Sequence, residues 1–498
     1  MSDQTLQLIA IGAYFLAMIA IGLYAYRKTD THEDYMLAGR GLKPWVAALS
    51  AGASDMSGWI MMGLPGALYL TGLIEAWIAI GLTVGAYLNW KVVAPRLRAY
   101  TERSRNSITI PSFFENRLRD KSRLLRIVSG LIILVFFTFY VASMMVAGGV
   151  FFQESFGSTY LFGMLLVAGV TLAYTLFGGF LGASLTDVVQ GTMMMLALLI
   201  LPVMGIVAVG GIGETLDEIN RVGPDHLSLL GGEGMSGTTM LMIVSALGWG
   251  LGYFGQPHII VRFMAMKNPS SAKAARRIGM SWMVLSLGGA VIGGLVGLAY
   301  FSKQGITLAD SETVMLAMAQ ALFHPLVAGL VLAAVLAAIM STVSSQLIVC
   351  SSALVEDLLK VVLRKEPSKR VMVMLGRLCV LLVAVVGVLL ALDPRGTILE
   401  LVGFAWAGFG AAFGPIILLS LFWRRLTNWG ALAGMIVGAV TVFVWAELDT
   451  GLYEIIPGFL ANAIVAIVVS LFTYTHDDDV QEEFTDTVAM TRPVKTVR

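Results

Sequence analysis

An all-α polytopic membrane protein of about thirteen transmembrane helices is the fold class this sequence predicts, on three observations. Apolar runs of about 20 residues, the length a helix needs to cross a bilayer, recur along nearly the whole chain. Charged residues make up 13% of the 498 positions and hydrophobic ones 57%, against roughly 25% charged in soluble domains. Basic residues also gather in alternate segments between the runs, the asymmetry that orients membrane helices. One large soluble enzyme is excluded. The 54 glycines against 14 prolines suit helices packed closely through small residues.

In chain order the expected spans are 6–26, 45–70, 74–93, 126–151, 160–177, 188–211, 238–259, 279–301, 326–352, 371–391, 397–422, 430–447 and 455–475. The first lacks the basic stretch and small-residue cleavage site of a secretory signal and reads as a retained span. Two pairs, 160–177 with 188–211 and 397–422 with 430–447, are joined by short connections, so the count is open by one. With residue 1 outside, the outer segments hold only Arg221, Lys303 and Arg395 of the 33 Lys and Arg. The expected orientation is therefore N-terminus outside and C-terminus cytoplasmic, with one transmembrane domain over 1–475. The inner segment 102–126, "ERSRNSITIPSFFENRLRDKSRLLR", predicts an interfacial helix near anionic headgroups and gives no reason to expect nucleic acid. The tail 476–498 is polar and acidic, and its composition predicts disorder. Cys350 and Cys379 have no CxxC spacing, and the five histidines are scattered. No disulfide framework or metal cluster follows from them.

Two spans carry residues that a lipid-facing helix would not. In 45–70, "SAGASDMSGW" at 50–59 sets a carboxylate, Asp55, among hydroxyls and glycines, followed by "GLPG" at 63–66. An acid near mid-membrane is costly and marks an ion or substrate pathway; the bland alternative is a cap on the following half-helix. In 238–259, "GWGLGYFGQPH" at 248–258 has four glycines, a proline and three aromatics. Its GxGxxG match is spurious as a dinucleotide motif, because no strand precedes it. Both stretches read as discontinuous helices, which survive in a membrane only where protein or water lines them. As the second and seventh spans they cross in opposite senses. That spacing predicts an inverted 5+5 repeat, about 45–211 and 238–422, with the broken helices meeting at a central site and 6–26, 430–447 and 455–475 peripheral.

A third polar cluster, "AAIMSTVSS" at 337–345, lies on the ninth span. Ser341 and Thr342 either bond back to carbonyls one turn earlier or join carbonyls of the second span around a small hard cation, which prefers oxygen donors. A membrane-embedded enzyme or a transport-inactive sensor is the different-class alternative. Asp55 and Ser57 have no histidine or lysine beside them, and no HExxH, GxSxG or P-loop pattern appears.

"ALSAGASDMSGWIMMGLPGA", "GWGLGYFGQPHIIVRFMA", "AAIMSTVSSQLIVCSSALVEDL", "AWAGFGAAFGP", "YTLFGGFLGASLTDVVQG" and "RRLTNWGALAGMIVG" resemble the sodium:solute symporter family, and within it the proline-carrying branch, over about 6–475. The resemblance implies thirteen helices, an amino-acid-transporter type core, alternating access, and sodium-driven uptake of L-proline across a bacterial cytoplasmic membrane, with no obligate protein partner. A sodium symporter for another small solute is the nearer alternative. It implies Na+ on the backbone carbonyls of Ala53, Met56 and Ala338 and the side-chain oxygens of Ser341 and Thr342. Asp55 matches an acid needed for coupling, Asp187 a position on the cytosolic sodium exit route, and Arg40 a sensitive basic residue of the first inner loop. Proline would meet Ser57, Gly58, Tyr140, Trp249, Tyr253 and Pro257. Its carboxylate would face free amides of the broken second helix, with its ring and ammonium against aromatic faces.

Overall fold

The computed structural model describes residues 2–28, 37–232, 234–359, 369–393, 396–448 and 450–491. Among them are helices and turns but no β-strand; one parallel bridge joins Leu42 to Met266. A bilayer offers the backbone no water, so each crossing segment closes its own hydrogen bonds as a helix. Eleven helices among the described residues are long and apolar enough to cross: Asp3–Tyr26, Leu73–Arg103, Leu124–Phe156, Tyr160–Val209, Gly237–Phe254, Ser271–Lys303, Pro325–Leu359, Val371–Leu390, Ile398–Phe422, Asn428–Ala446 and Ile455–Thr473.

This number differs from the expected thirteen at two places, each for a local reason. The run at 45–70 is cut into Pro44–Asp55, Gly58–Met61 and Gly63–Thr71, none long enough to cross alone. The runs at 160–177 and 188–211 form one 50-residue helix, Tyr160–Val209, interrupted at Gly179 (φ 56°, ψ −157°), a conformation that glycine adopts and L side chains resist.

Pro325–Leu359 and Ile398–Phe422 are enclosed along most of their length, and the core runs around them. Other helices instead expose Leu16, Leu382, Ile464 and Phe472, as suits a surface solvated by hydrocarbon. The basic loops meet at one end of the bundle. There Leu42 pairs with the 265–267 backbone, Arg98 donates to the carbonyls of Met266 and Lys267, and the Arg117 Nε to that of Ser420. At the opposite end Trp77 donates to the Leu229 carbonyl, Ser245 to that of Gly451, and Glu312 accepts the N–H groups of Ile398 and Leu399.

Ile110–Arg117 buries Phe113, Phe114 and Arg117 in the protein. One expectation for the basic end is corrected. The acidic tail is not disordered where described, since Asp478–Thr491 is a helix. Phe484 is buried beside Tyr100, with ring centroids 6.3 Å apart, and Arg103–Asp486 and Arg119–Glu483 pair at 2.6 and 2.7 Å. The acidic run finds its basic partners in segment 102–126, so neither composition predicted the outcome alone. Residues 492–498 of the tail lie outside the described residues.

Candidate functional site

The second span breaks because the backbone turns out of the helical region at Met56 (φ −77°, ψ 72°) and is extended at Ser57 (ψ −163°). The Ser57 N–H then bonds the Asp55 carbonyl at 2.9 Å instead of Ala53. The Gly58 N–H points at the Met144 sulfur, 3.4 Å away, instead of at Ser54. Two helical carbonyls, those of Ala53 and Ser54, are thereby released. The Ser341 hydroxyl lies 2.6 Å from the Ala53 carbonyl and 3.1 Å from that of Ala338, and the Thr342 hydroxyl donates to Ser54 at 3.0 Å.

Three of the five residues expected around the cation, Ala53, Ala338 and Ser341, therefore meet at one point. Thr342 is beside them on Ser54, which the sequence reading did not single out. Met56 lies at the break itself, its N–H bonded to the Gly52 carbonyl. The donors are neutral oxygens, two of them backbone carbonyls, the set a small hard cation takes. All of these residues are buried.

The seventh span breaks at Gly255 and Gln256. A 3₁₀ stretch, Trp249–Phe254, ends there, and Pro257 opens a new helix, Pro257–Met264. Proline suits a first helical position, where its missing N–H is not needed, and it holds Gln256 extended (ψ 107°),. His258 thus stands at the start of this half-helix, fully buried beside Phe137 and Tyr140, rather than at the end of a span. The approach of this segment to its neighbours needs glycine: a Cβ on Gly250 would stand 2.3 Å from the Gly81 carbonyl oxygen, and one on Gly252 1.9 Å from the Trp406 Nε1.

The two broken helices touch. The Tyr253 hydroxyl donates to the Asp55 carboxylate, and the Trp59 and Trp249 rings stand 6.1 Å apart. Tyr140 donates to the Ser57 hydroxyl at 3.4 Å. Trp249 stacks on Tyr453 (5.3 Å, 26°), and its carbonyl accepts the Trp406 indole N–H at 2.8 Å. Ser57, Gly58, Tyr140, Trp249, Tyr253 and Pro257 are all buried. On one side of this layer a cavity of about 620 Å³ opens at the end opposite the basic loops, reaching Trp249 between Glu75, Phe404, Tyr453 and Glu454.

On the other side lies a buried polar cluster. Arg262, fully buried, donates to Asp187 (3.1 Å), Ser345 (2.6 Å), Ser50 (3.0 Å) and the His258 carbonyl (2.5 Å), while Ser50 donates to Asp187 at 2.6 Å. Ser50 and Ser345 stand one helical turn toward the basic end from Ser54 and Ser341. Arg40 is not part of this cluster. It braces the basic loops, bonding Asn106, Thr101 and the carbonyls of Met264 and Ser107 at 2.7 to 3.3 Å.

Sequence reasoning missed Arg262, Ser50, Trp59, Met144 and Trp406. Arg262 had a readable signal, a cation on an apolar half-helix within the same motif as Trp249. The others carry no local mark, because their roles come from residues distant in the chain.

With this geometry in hand, comparison with known proteins is specific. The sequence model of the Sodium:solute symporter family matches residues 35–438. The chain is 55% identical over 471 residues to the high-affinity proline transporter PutP of Bacillus subtilis (strain 168), covering 94% of this chain and 98% of the relative. It is 49% identical over 491 residues to the sodium/proline symporter of Escherichia coli (strain K12), covering 98% and 97%. Among solved structures, a Na+-coupled sialic acid symporter in a substrate-bound outward-open state superposes with a TM-score of 0.80 at 18% identity, over 94% of this chain and 98% of that one. A nucleobase-cation-symport-1 family transporter in a closed conformation gives 0.52 at 16% identity, over 91% and 98%. At such identities the likeness concerns the fold.

Proposed function

The chain belongs to the sodium:solute symporter family, and from that membership and its near relatives we propose that it carries L-proline into the cytoplasm together with Na+, by alternating access. Na+ is the coupling ion, and the protein is a multi-pass bacterial membrane protein. The observation that carries this reading is the single broken segment 53–58. Its carbonyls face Ser341 and Thr342, and its next residues face Tyr140, Trp249 and Tyr253.

The proposed chemistry follows from those contacts. Na+ takes the Ala53, Met56 and Ala338 carbonyls with the Ser341 and Thr342 hydroxyls, which turn their lone pairs to the ion and release their present bonds. The proline carboxylate takes the Gly58 N–H from the Met144 sulfur, a weak acceptor, and engages Ser57. The pyrrolidine and its ammonium lie against Trp249, Tyr253 and Pro257, where cation–π attraction adds to burial. Asp55 acts by holding the Tyr253 hydroxyl rather than by touching the ion. Because both ligands order one segment, each tightens the other by the same factor.

Thirteen crossings, with the N-terminus outside and an inverted 5+5 core over 45–211 and 238–422, belong to the same proposal. Fifty residues of helix measure about 75 Å, enough for two passes of a core about 30 Å thick, which supports two crossings within Tyr160–Val209. The three pieces between Pro44 and Thr71 supply the remaining one. The basic end is then cytoplasmic, and Asp187, paired with Arg262, gates the exit. Proteoliposomes containing the purified protein test the reading: an inward sodium gradient should drive proline accumulation. Uptake driven equally well by a proton gradient without sodium, or by sodium but without competition from proline, would overturn it.

A further inference from the structure

Two short basic stretches, "NRLRDK" at 116–121 and "RRLTN" at 424–428, take no part in the transport site. The first spans the C-terminal end of Ile110–Arg117 and the second follows Ile398–Phe422, and the fold brings them together at the basic end around a cavity of about 230 Å³. Its walls carry Arg117, Arg119, Lys121 and Arg424, the N-terminus of Asn428–Ala446 at Thr427, and Tyr474.

The acids nearby do not balance these cations. Glu483 pairs with Arg119 at 2.7 Å, and the carboxylate of Asp477, which also lines the cavity, accepts the Val480 N–H at 3.1 Å. Asp120, between Arg119 and Lys121, accepts from Ser122 and the Leu125 N–H; three acids thus face four cations. Arg117 is the unusual member. It is fully buried, its Nε donates to the Ser420 carbonyl, and its two terminal nitrogens have no acceptor. The guanidinium stands 5.1 Å from the Tyr100 ring and 5.7 Å from that of Phe484, and the four N–H donors of its terminal nitrogens are unused. A buried charge with unmet donors costs several kcal/mol unless something supplies the acceptors. A tetrahedral oxyanion matches a guanidinium fork with further cations and a helix N-terminus around it.

We propose that this cavity binds a phosphate group, with Arg117 as its buried anchor and Lys121 and Arg424 at its rim. At the membrane surface that group comes either from an anionic phospholipid headgroup or from a soluble phosphate. Helix Asp478–Thr491 forms one wall through Val480 and Gln481 and seats Phe484 against Arg117 and Arg424. Occupancy therefore fastens the tail helix to the transporter.

The test uses the full-length protein purified in neutral detergent, with thermal unfolding as the readout. One arm titrates inorganic phosphate against sodium chloride at equal ionic strength. The other titrates phosphatidylglycerol against phosphatidylcholine in mixed micelles. A saturable rise in the unfolding midpoint is expected in at least one arm, which also identifies the source. The rim variants Lys121→Gln and Arg424→Gln should weaken the apparent affinity about tenfold each. They leave the buried anchor in place, so the test survives if Arg117→Met fails to fold. No saturable rise in either arm, a rise that chloride reproduces, or one unchanged in both rim variants overturns the proposal.

Discussion

At the basic end the bundle is closed by one buried guanidinium, Arg262, that bonds Asp187, Ser50 and Ser345. At the opposite end a cavity of about 620 Å³ runs down to the stacked rings of Trp249 and Tyr453. The first closure is polar and directional, so it is made or broken as a unit. The second is aromatic and non-directional, so a ring can tilt without leaving a charge unpaired. A carrier whose two ends were both held by buried ion pairs would have two such costs in series. In the proposed cycle the contrast would give one stiff latch and one compliant lid.

Breaking the latch has the largest expected effect. Arg262→Met leaves the Asp187 carboxylate buried without its cation, with only the Ser50 hydroxyl bonded to it, at a cost of about 3–5 kcal/mol, and should shift the population toward states open at the basic end. Ile348→Cys, which lines a small cavity with Pro257 and Asp357, should then react with a membrane-permeant thiol reagent after Cys350 and Cys379 are replaced by serine. If it stays shielded, the pair is not a gate. Breaking the lid should be milder. Trp249→Ala removes a buried aromatic anchor worth about 2 kcal/mol and should raise the proline concentration for half-maximal uptake about 30-fold, with the sodium dependence little changed.

A smaller effect sharpens the division of labour between the ends. Ser341→Ala deletes one hydroxyl from the proposed ion shell and should raise the sodium requirement about tenfold, or about 1.4 kcal/mol, while leaving the choice among amino acids as it was. Altered selectivity would reassign Ser341 to the solute pocket. The smallest change is at the rim of the basic end. Arg103→Ala removes a half-exposed pair with Asp486, worth about 0–1 kcal/mol; it should move the unfolding midpoint by no more than a few degrees, and only at low salt.

Much of the fold was readable because its causes are local. Hydropathy marks crossings within windows of about 20 residues, and Gly255 with Pro257 breaks a helix wherever the chain goes next. The position of each break and the contact of the two broken helices accord with the sequence reading, whereas the residues alone left the partner of Ser341 open. The docking of Asp478–Thr491 escaped it, because Phe484 and Glu483 gain their stability from Tyr100, Arg117 and Arg119, more than 360 residues earlier. Arg40 was found as a residue of note but not in its place, since the loop it braces is set by packing rather than by composition.

The sequence by itself determined that the chain lives in a membrane and where its helices are interrupted, since burial in hydrocarbon and backbone geometry act over a few neighbouring residues. Only the tertiary structure decided which groups fill the freed carbonyls, which cation faces Asp187, and what holds the tail. Those partners are 288, 75 and 364 residues apart. Hydrogen bonds carry no memory of chain distance, so helix packing alone selects them.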